Sequence, residues 1–226
     1  IAQADAEPRE SDEQGAHLSI NAVELRCAMA AVAPVVQPIA RMQTTWTVHA
    51  DGSIALRMDV ERDTEFPFLP RFGIRMMLPL AMRNVVYCGY GSGESYVDKH
   101  RACWHGMFEG TPPTLGEREI RPQENGNRHD CDWASVAGDG VALIVLRGDG
   151  VQPARAFDFQ AIDYTAEEMR RAAHDFELEP AGATVVSVDY MQSGIGSNSC
   201  GPELLPQYRL DEPEFRFAVT LRPQSA

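Results

Sequence analysis

Hydrophobic and polar residues alternate along much of this chain in short stretches, which is the pattern of strands with one buried face. The clearest stretch spans residues 44–60, where two alternating segments flank the dipeptide Asp51-Gly52. This dipeptide readily adopts the positive φ angles of a tight turn, so a β-hairpin is predicted there. Residues 17–26 alternate weakly, residues 28–33 predict an apolar loop or short strand, and residues 100–108 form a mixed aromatic segment. Further strands are predicted over 72–80, 85–90, 117–121, 132–136, 141–146, 156–161, 184–190 and 215–221, with Arg222-Pro223 ending the last one.

One helix is predicted, from Thr165 to about His174. The Thr165 hydroxyl can accept the amide of Glu168 while the Glu168 side chain reaches back, which is a capping box. Many short strands with a single helix favour two antiparallel sheets packed face to face. The predicted fold is therefore all-β, a large antiparallel two-sheet sandwich over residues 17–226. Residues 1–16 contain few apolar side chains, so a linker or disordered terminus is predicted for them.

The composition fits one sizeable core, because 44% of the 226 residues are hydrophobic and 23% are charged. No stretch approaches the roughly 18 apolar residues that a membrane span needs. Lys and Arg number 20 against 33 Asp and Glu, which gives a net charge of -13. A surface this acidic repels phosphate backbones and anionic lipids, so neither nucleic acid nor a membrane is expected as a partner.

Cysteine usage indicates a reducing compartment, and a cytoplasmic location is expected. The five cysteines lie at positions 27, 88, 103, 131 and 200. Their odd number and the lack of a CxxC pair favour neither a zinc ribbon nor a disulfide framework. The first residues contain no initiator Met and no secretory signal, which predicts that the chain is cut from a longer one.

Two short segments contain residues able to bind metals, but no metal site is predicted. His100, Cys103 and His105 match no standard zinc spacing, and ordinary packing is the favoured interpretation. In residues 129–132, strand alternation would send Asp130 and Asp132 to one face and His129 and Cys131 to the other. Convergence of that second segment on one ion is therefore not expected.

The sequence also contains no complete catalytic or dinucleotide-binding motif. The glycine-rich run 89–94 lacks the third glycine and the following helix of a dinucleotide-binding loop. There is no GxSxG elbow and no Ser, His and Asp set. The carboxylates beside glycine or aromatic residues are each more typical of loop hydrogen bonding than of acid-base catalysis; they are Glu94, Asp98, Glu124 and Asp189.

Four motifs taken together are more specific. They are Leu69-Pro70-Arg71-Phe72-Gly73-Ile74, the run from Gly89 to Asp98, Pro122-Gln123-Glu124-Asn125-Gly126-Asn127-Arg128, and the run from Ser193 to Pro202. In order, spacing and residue type they resemble the C-terminal domain of glycoside hydrolase family 2 β-galactosidases. The resemblance covers nearly everything from about Thr44 to Leu221.

The resemblance implies a galactose-mutarotase-like β-supersandwich, the last domain of a large enzyme that hydrolyses terminal β-D-galactosides such as lactose. In this family the catalytic carboxylates and a supporting Mg²⁺ lie in an upstream (β/α)₈ barrel of about 250 residues, more than this whole chain. No catalytic residue, metal ligand or cofactor is therefore expected in the chain itself. Its expected partners are the other domains of the parent, a galactoside substrate and further copies of a homo-oligomeric parent.

The resemblance also points to one loop, from Gly194 to Pro202, that reaches the active site in the family. A tryptophan of that loop lines the sugar site in a family member, and Cys200 occupies the matching position here. A thiol is smaller than a tryptophan face and offers less area to a sugar ring. Cys200 is the candidate substrate-binding residue, with packing as its alternative role, and Asn198 and Ser199 could hydrogen-bond sugar hydroxyls. The loop is one residue shorter here than in that family member.

Two other functions stay open at this point. Aldose mutarotases share the supersandwich and use a histidine acid and a glutamate base. The available residues would be His100, His105, His129 and His174 with Glu94 or Glu124, although no mutarotase motif holds them in register. A carbohydrate-binding module would expose aromatic residues on a groove, whereas the three tryptophans at 46, 104 and 133 fall in predicted strands and suit the core.

Overall fold

The computed structural model describes residues 21–32, 37–148, 156–196 and 203–225. The strands are β1 (Ala22–Val32), β2 (Pro38–His49), β3 (Ile54–Arg62), β4 (Arg71–Pro79), β5 (Asn84–Gly91), β6 (Trp104–Gly110), β7 (Arg128–Cys131), β8 (Trp133–Gly138), β9 (Val141–Arg147), β10 (Phe157–Ile162), β11 (Ala183–Gln192) and β12 (Glu214–Ser225). The α-helices are α1 (Pro112–Leu115) and α2 (Ala166–Arg171). The chain divides into two compact units.

The first unit lies within residues 1–67, 145–154 and 211–223. Its strands pair antiparallel in the order β1-β2-β3-β12. The predicted hairpin is confirmed as β2 and β3, with Gly52 at φ +81° and the Asp51 carboxylate accepting the Ser53 amide at 2.9 Å. Leu56 and Met58 of β3 are buried opposite Val219 and Phe217 of β12, and these cross-strand pairs form the core of the unit.

The second unit lies within residues 68–144, 155–210 and 224–226, and it contains two sheets. One has the order β4-β11-β10-β7, and the other places β5 between β8 and β6. Tyr87 of β5 and Phe159 of β10 meet with ring centroids 6.4 Å apart, and Arg128 of β7 donates to the Tyr87 hydroxyl at 2.9 Å. These contacts join the two sheets face to face, so the predicted all-β antiparallel two-sheet sandwich is confirmed.

Most predicted strands are present, but several features differ from the prediction, among them the short helix α1, which is additional to the one predicted helix. The weak alternation before residue 33 belongs to one continuous strand, β1, paired along its length with β2. Residues 117–121 form no strand, since the Glu117 amide instead binds the Asn125 side chain at 3.0 Å. The last strand continues through Pro223 to Ser225, beyond its final pair with β3 at Leu221. Trp104 is 59% exposed at the start of β6, so the prediction of a core position was wrong for this tryptophan.

The helix start is confirmed, because the Thr165 hydroxyl accepts the Glu168 amide at 3.2 Å. The second half of the predicted capping box was wrong, since the Glu168 side chain binds Arg171 and the Glu179 amide instead of reaching back. The helix itself ends at Arg171, earlier than predicted. The Glu168 carboxylate accepts hydrogen bonds from Arg171 at 2.7 and 2.9 Å and from the Glu179 amide at 2.9 Å. These bonds fix the chain beyond the helix, where residues 175–177 form a 3-10 turn.

The division into a terminal segment over 1–16 and one domain over 17–226 stays a prediction, because residues 1–20 lie outside the described part of the chain. Within the described residues, no helix has the length and apolar character required to cross a bilayer. Four of the five cysteines fall in that part, and Cys27, Cys88, Cys103 and Cys131 are free thiols there.

Candidate functional site

A pocket of about 630 Å³ opens in the second unit, where the start of β4, the end of β11, the loop at 122–124 and helix α2 meet. Its apolar lining comes from several separate segments: Phe68, Pro70, Pro122, Met169, Ile195 and Leu204. Arg71, Glu124 and Gln192 add polar groups. Ligand sites are typically of this size and combine apolar walls with a few fixed polar groups.

Arg71 is the central cation of the pocket. Its Nε donates to Asp189 Oδ2 at 3.1 Å, its Nη2 donates to the same oxygen, and its Nη1 donates to Glu124 Oε2 at 3.1 Å. Strand pairing explains this arrangement, since Arg71 lies opposite Gln192 and the register shifts between Asp189 and Met191. Such an irregularity turns side chains locally and brings the carboxylate of Asp189 towards the guanidinium.

Gln160 holds the other side of Glu124. Its Nε2 donates to Glu124 Oε1 at 2.6 Å and to the carbonyl of Asn125 at 2.5 Å. Gln160 lies on β10, a strand whose six residues are all buried. A buried amide needs partners, and here the partners of Gln160 fix the loop that lines the pocket.

Burial controls the acidity of this network. It raises the pKa of Asp189 to about 6, although Arg71 acts in the opposite direction and the neighbouring Asp158 adds to the rise. Burial likewise raises the pKa of Glu124, against the effect of Arg71. For Arg71 itself burial lowers the pKa, but Asp189 and Glu124 outweigh it, so that the net shift is upward.

Asp158 connects the network to the end of β11. It lies directly opposite Asp189 in the β10/β11 pair and is 3% exposed. Its carboxylate is 2.7 Å from His129 Nδ1 and accepts the Gln192 amide at 2.7 Å. The backbone at the edge of the pocket is therefore fixed by a buried carboxylate.

Asp98 fixes the segment that continues from β11. Its carboxylate accepts the amides of Ile195 at 3.1 Å and Gly196 at 2.8 Å. Gly194 lies so close that a Cβ there would come within 2.4 Å of Asp98 Cγ and 2.7 Å of Leu204 Cδ1. Only glycine fits at this position without displacing its neighbours.

The residues that the resemblance singled out for substrate binding, Asn198, Ser199 and Cys200, lie outside the described residues. The residues on either side of that gap, Gly196 and Leu204, line the pocket. The motifs of the resemblance also converge there. Three of them supply lining residues, through Arg71, Glu124 and the segment 193–196, and the remaining one supplies Asp98.

The structural role predicted for Glu94 and Asp98 is confirmed. Glu94 accepts the Gly126 amide at 2.8 Å and pairs with Lys99. The prediction for Glu124 was incomplete, because this residue does fix a turn but also lines the pocket. The sequence did not identify Arg71, Gln160, Asp189 and Gln192 as one group. The available signal was the presence of polar residues inside strands β10 and β11, which are otherwise apolar.

The histidines are grouped differently from the sequence clusters. The rings of His100, His105 and His129 surround Tyr90, with centroids 5.0, 5.7 and 6.1 Å from it. Cys131 is fully buried, and burial raises the pKa of its thiol well above the usual value.

The contacts seen for Glu94 and Glu124 do not form the histidine-glutamate pair of a mutarotase. Glu94 bonds Lys99 and Gly126, Glu124 bonds Arg71 and Gln160, and His174 lies beside Glu177 at 3.5 Å.

Comparison with known proteins agrees with the resemblance. The family model described as β-galactosidase small chain matches residues 2–221. The β-galactosidase of Staphylococcus xylosus is 36% identical over 200 residues, and that of Actinobacillus pleuropneumoniae is 37% identical over 205 residues. These matches cover 88% and 90% of this chain but 20% and 19% of the relatives, so the chain spans about a fifth of their length.

Among solved structures, an aldose epimerase homologue from C. elegans aligns with 92% of this chain and 67% of its own, with 8% identity and a TM-score of 0.43. That score is too low to support an inference about function. The sequence matches are sufficient by themselves, and the chain belongs to the β-galactosidase small-chain family.

Proposed function

We propose that this chain is the C-terminal β-sandwich part of a β-galactosidase, an enzyme that hydrolyses terminal β-D-galactosides such as lactose. Family membership and the one-fifth share of each relative's length support this assignment. The chain is proposed to be inactive alone, because the other domains of the parent supply the catalytic carboxylates and a Mg²⁺ ion. The carboxylates of the pocket described above bind Arg71 and Gln160, so they do not form a Mg²⁺ site.

The pocket carries a more specific part of the proposal, that it forms one edge of the galactoside site. The single observation behind it is that segments far apart in sequence, which carry the family motifs, meet around one cavity. A volume of about 630 Å³ is in the range of ligand sites and leaves room for a sugar. The apolar walls suit the C–H faces of a sugar ring, and the polar groups suit its hydroxyls.

Hydrogen-bonding capacity remains in the pocket after its internal bonds are made. The side chains of Arg71 and Glu124 are 24% and 26% exposed. An ionised carboxylate has about four acceptor sites, and the bonds from Arg71, Gln160 and Gln192 to Glu124 use three of them. Sugar hydroxyls are donors as well as acceptors, and Glu124 can therefore receive one without losing Arg71.

The segment with Asn198, Ser199 and Cys200 is proposed to complete this edge. Its neighbours Gly196 and Leu204 line the pocket, and Asp98 fixes the residues before it. The parent is further proposed to be a cytoplasmic homo-oligomer.

The pocket can be tested in the enzyme encoded by the full reading frame that contains this chain. Ile195 lines the pocket and is 37% exposed, so Ile195→Trp should fill the opening without disturbing the core. The expected result is a KM for a chromogenic β-galactoside raised about 10-fold or more, because the substrate loses room. The matched control is Ile120→Trp, since Ile120 is 86% exposed and lies outside the pocket lining.

Equal kinetics in the two variants would contradict a role of the pocket in substrate binding.

Cys200→Ala in the same enzyme distinguishes substrate contact by Cys200 from simple packing. Substrate contact predicts a changed KM at an unchanged melting temperature, and the control is Cys103→Ala. A lower melting temperature with an unchanged KM would show that Cys200 packs.

A further inference from the structure

Three residues that bind metals well meet on one face of the β5, β6 and β8 strands. Cys88 lies opposite Met107 of β6 and opposite Trp133 of β8. His105 is two residues before Met107 and is therefore the diagonal neighbour of Cys88 on the same face. Asp132 lies in the bend between β7 and β8, directly before Trp133, and its carboxylate reaches Cys88 from there. The Asp132 amide donates to the Cys88 carbonyl at 2.8 Å, which fixes the backbone at this point.

The ligand atoms of this cluster are close together. Asp132 Oδ2 is 3.8 Å from Cys88 Sγ and 3.7 Å from His105 Nε2, and all three atoms lie within 4.8 Å of one another. A tetrahedral zinc ion, with bonds of about 2.0 to 2.3 Å, places its ligand atoms roughly 3.4 to 3.6 Å apart. Small side-chain rotations are therefore enough to reach that geometry.

An irregular backbone conformation at Asp130 helps to position the His105 ring of this cluster. Asp130 has a φ angle of +57°, which is in the left-handed region. Its carbonyl lies 3.1 Å from His105 Nε2 and directs the imidazole ring towards this end of β7. An incoming ion would replace that hydrogen bond, with the proton of the neutral imidazole then on Nδ1.

We propose that Cys88, His105 and Asp132 bind one divalent transition-metal ion, with Zn²⁺ as the best match and a fourth position left for water. Thiolate and imidazole ligands favour Zn²⁺ over Mg²⁺ or Ca²⁺, which prefer oxygen. The side chains of His105 and Asp132 are 36% and 33% exposed, so an ion can enter from solvent. Cys88 is a free thiol, and its proton passes to solvent when the sulfur binds the metal.

This site is independent of the proposed galactosidase function. It involves none of the pocket residues, and its ligands differ from the oxygen donors that Mg²⁺ prefers. It also joins residues from both metal-capable segments of the sequence, through His105 of one and Asp132 of the other.

The test is calorimetric titration of Zn²⁺ into the reduced, tag-free chain of 226 residues. One ion per chain is expected, and Mg²⁺ should give no comparable binding. Titration with Co²⁺ should produce a sulfur-to-cobalt charge-transfer band in the near ultraviolet. Loss of an outer-shell partner typically lowers metal affinity about 10- to 100-fold, so Cys88→Ser and His105→Ala should each lower it at least as much.

Matched controls come from the neighbouring segment. Cys103→Ser and His100→Ala remove the same residue types outside the cluster, and Zn²⁺ affinity should stay unchanged in both. His105 is exposed, so its variant keeps the test valid even if Cys88→Ser fails to fold. The proposal is overturned if the chain binds no Zn²⁺, if Mg²⁺ binds equally well, or if His105→Ala binds like the native chain.

Discussion

The pocket around Arg71 and the cluster at Cys88 belong to the same compact unit but hold their polar groups in opposite ways. In the pocket, Asp189 is 3% exposed and its charge is matched by a guanidinium that also binds Glu124. In the cluster, His105 and Asp132 are about one-third exposed, and their ligand atoms lie beyond ordinary hydrogen-bonding distance from each other.

The difference follows from the cost of burying charge. Burying a carboxylate without a partner costs free energy, and in the pocket network the guanidinium of Arg71 is the partner of Asp189. A cluster whose side chains are about one-third exposed keeps part of its hydration, so its charges cost less than those of a buried network. We therefore expect the pocket network to determine stability and the cluster to affect it little.

The largest expected effect is the loss of the central cation of the pocket. Arg71→Ala leaves Asp189 buried without its guanidinium, and the free energy of unfolding should fall by about 3 to 5 kcal/mol, measured in urea. The matched control is Arg75→Ala on the same strand, whose ion pair with Glu167 at 2.6 Å is exposed. That control should cost less than about 1 kcal/mol. Equal losses would contradict the distinction between buried and exposed ion pairs.

A second prediction concerns pH. The pKa of Asp189 is about 6 in the folded chain against 3.8 for the free side chain. The folded state therefore binds this proton more tightly than the unfolded state does. The resulting stabilisation is full below about pH 4, is lost as the pH rises through 6, and amounts to at most about 3 kcal/mol.

Asp189→Asn isolates this contribution, since the amide does not titrate. The difference in unfolding free energy between the native chain and the variant should shrink by up to that amount between about pH 4 and about pH 7. A difference that stays constant with pH would show that burial does not control this carboxyl.

The third prediction tests how tightly Asp98 and Leu204 enclose the pocket edge. Gly194→Ala puts a Cβ within 2.4 Å of Asp98 Cγ, and the cost in unfolding free energy should be about 1 to 3 kcal/mol. Gly93→Ala is the control, because its Cβ would meet nothing within 4 Å. A Gly194 variant as stable as the Gly93 variant would mean that this edge adjusts freely.

The smallest effect is expected at the cluster. Without added metal, His105→Ala should change the free energy of unfolding by no more than about 0.5 kcal/mol, as is usual for exposed positions. Thermal unfolding of metal-free chains provides the measurement. A loss comparable to that of Arg71→Ala would remove the contrast between the two regions.

The predictability of the two regions from sequence also differs. Local signals were sufficient for the hairpin of β2 and β3 and for the Thr165 cap, because strand alternation, turn chemistry and capping act over a few residues. The resemblance identified the segments around the pocket. It did not reveal the pairing of Arg71 with Asp189, residues 118 positions apart that meet only through the β4/β11 register.

The cluster of Cys88, His105 and Asp132 was harder to predict from the sequence than the pocket. The sequence suggested two separate metal-capable segments and rejected both, whereas the structure combines His105 of one with Asp132 of the other and adds Cys88. Alternation was expected to govern residues 129–132, but the left-handed φ angle of Asp130 interrupts it. Such a local departure from strand geometry has no clear signature in the amino-acid pattern.

The measurement closest to the central claim compares two proteins in hydrolysis of a chromogenic β-galactoside. One is the 226-residue chain alone, free of host enzyme, and the other is the same chain joined to the in-frame sequence upstream of it in the source genome. The account predicts no turnover by the chain alone and turnover by the joined protein. Turnover by the chain alone, or a start codon close to Ile1 with no upstream barrel, would contradict it.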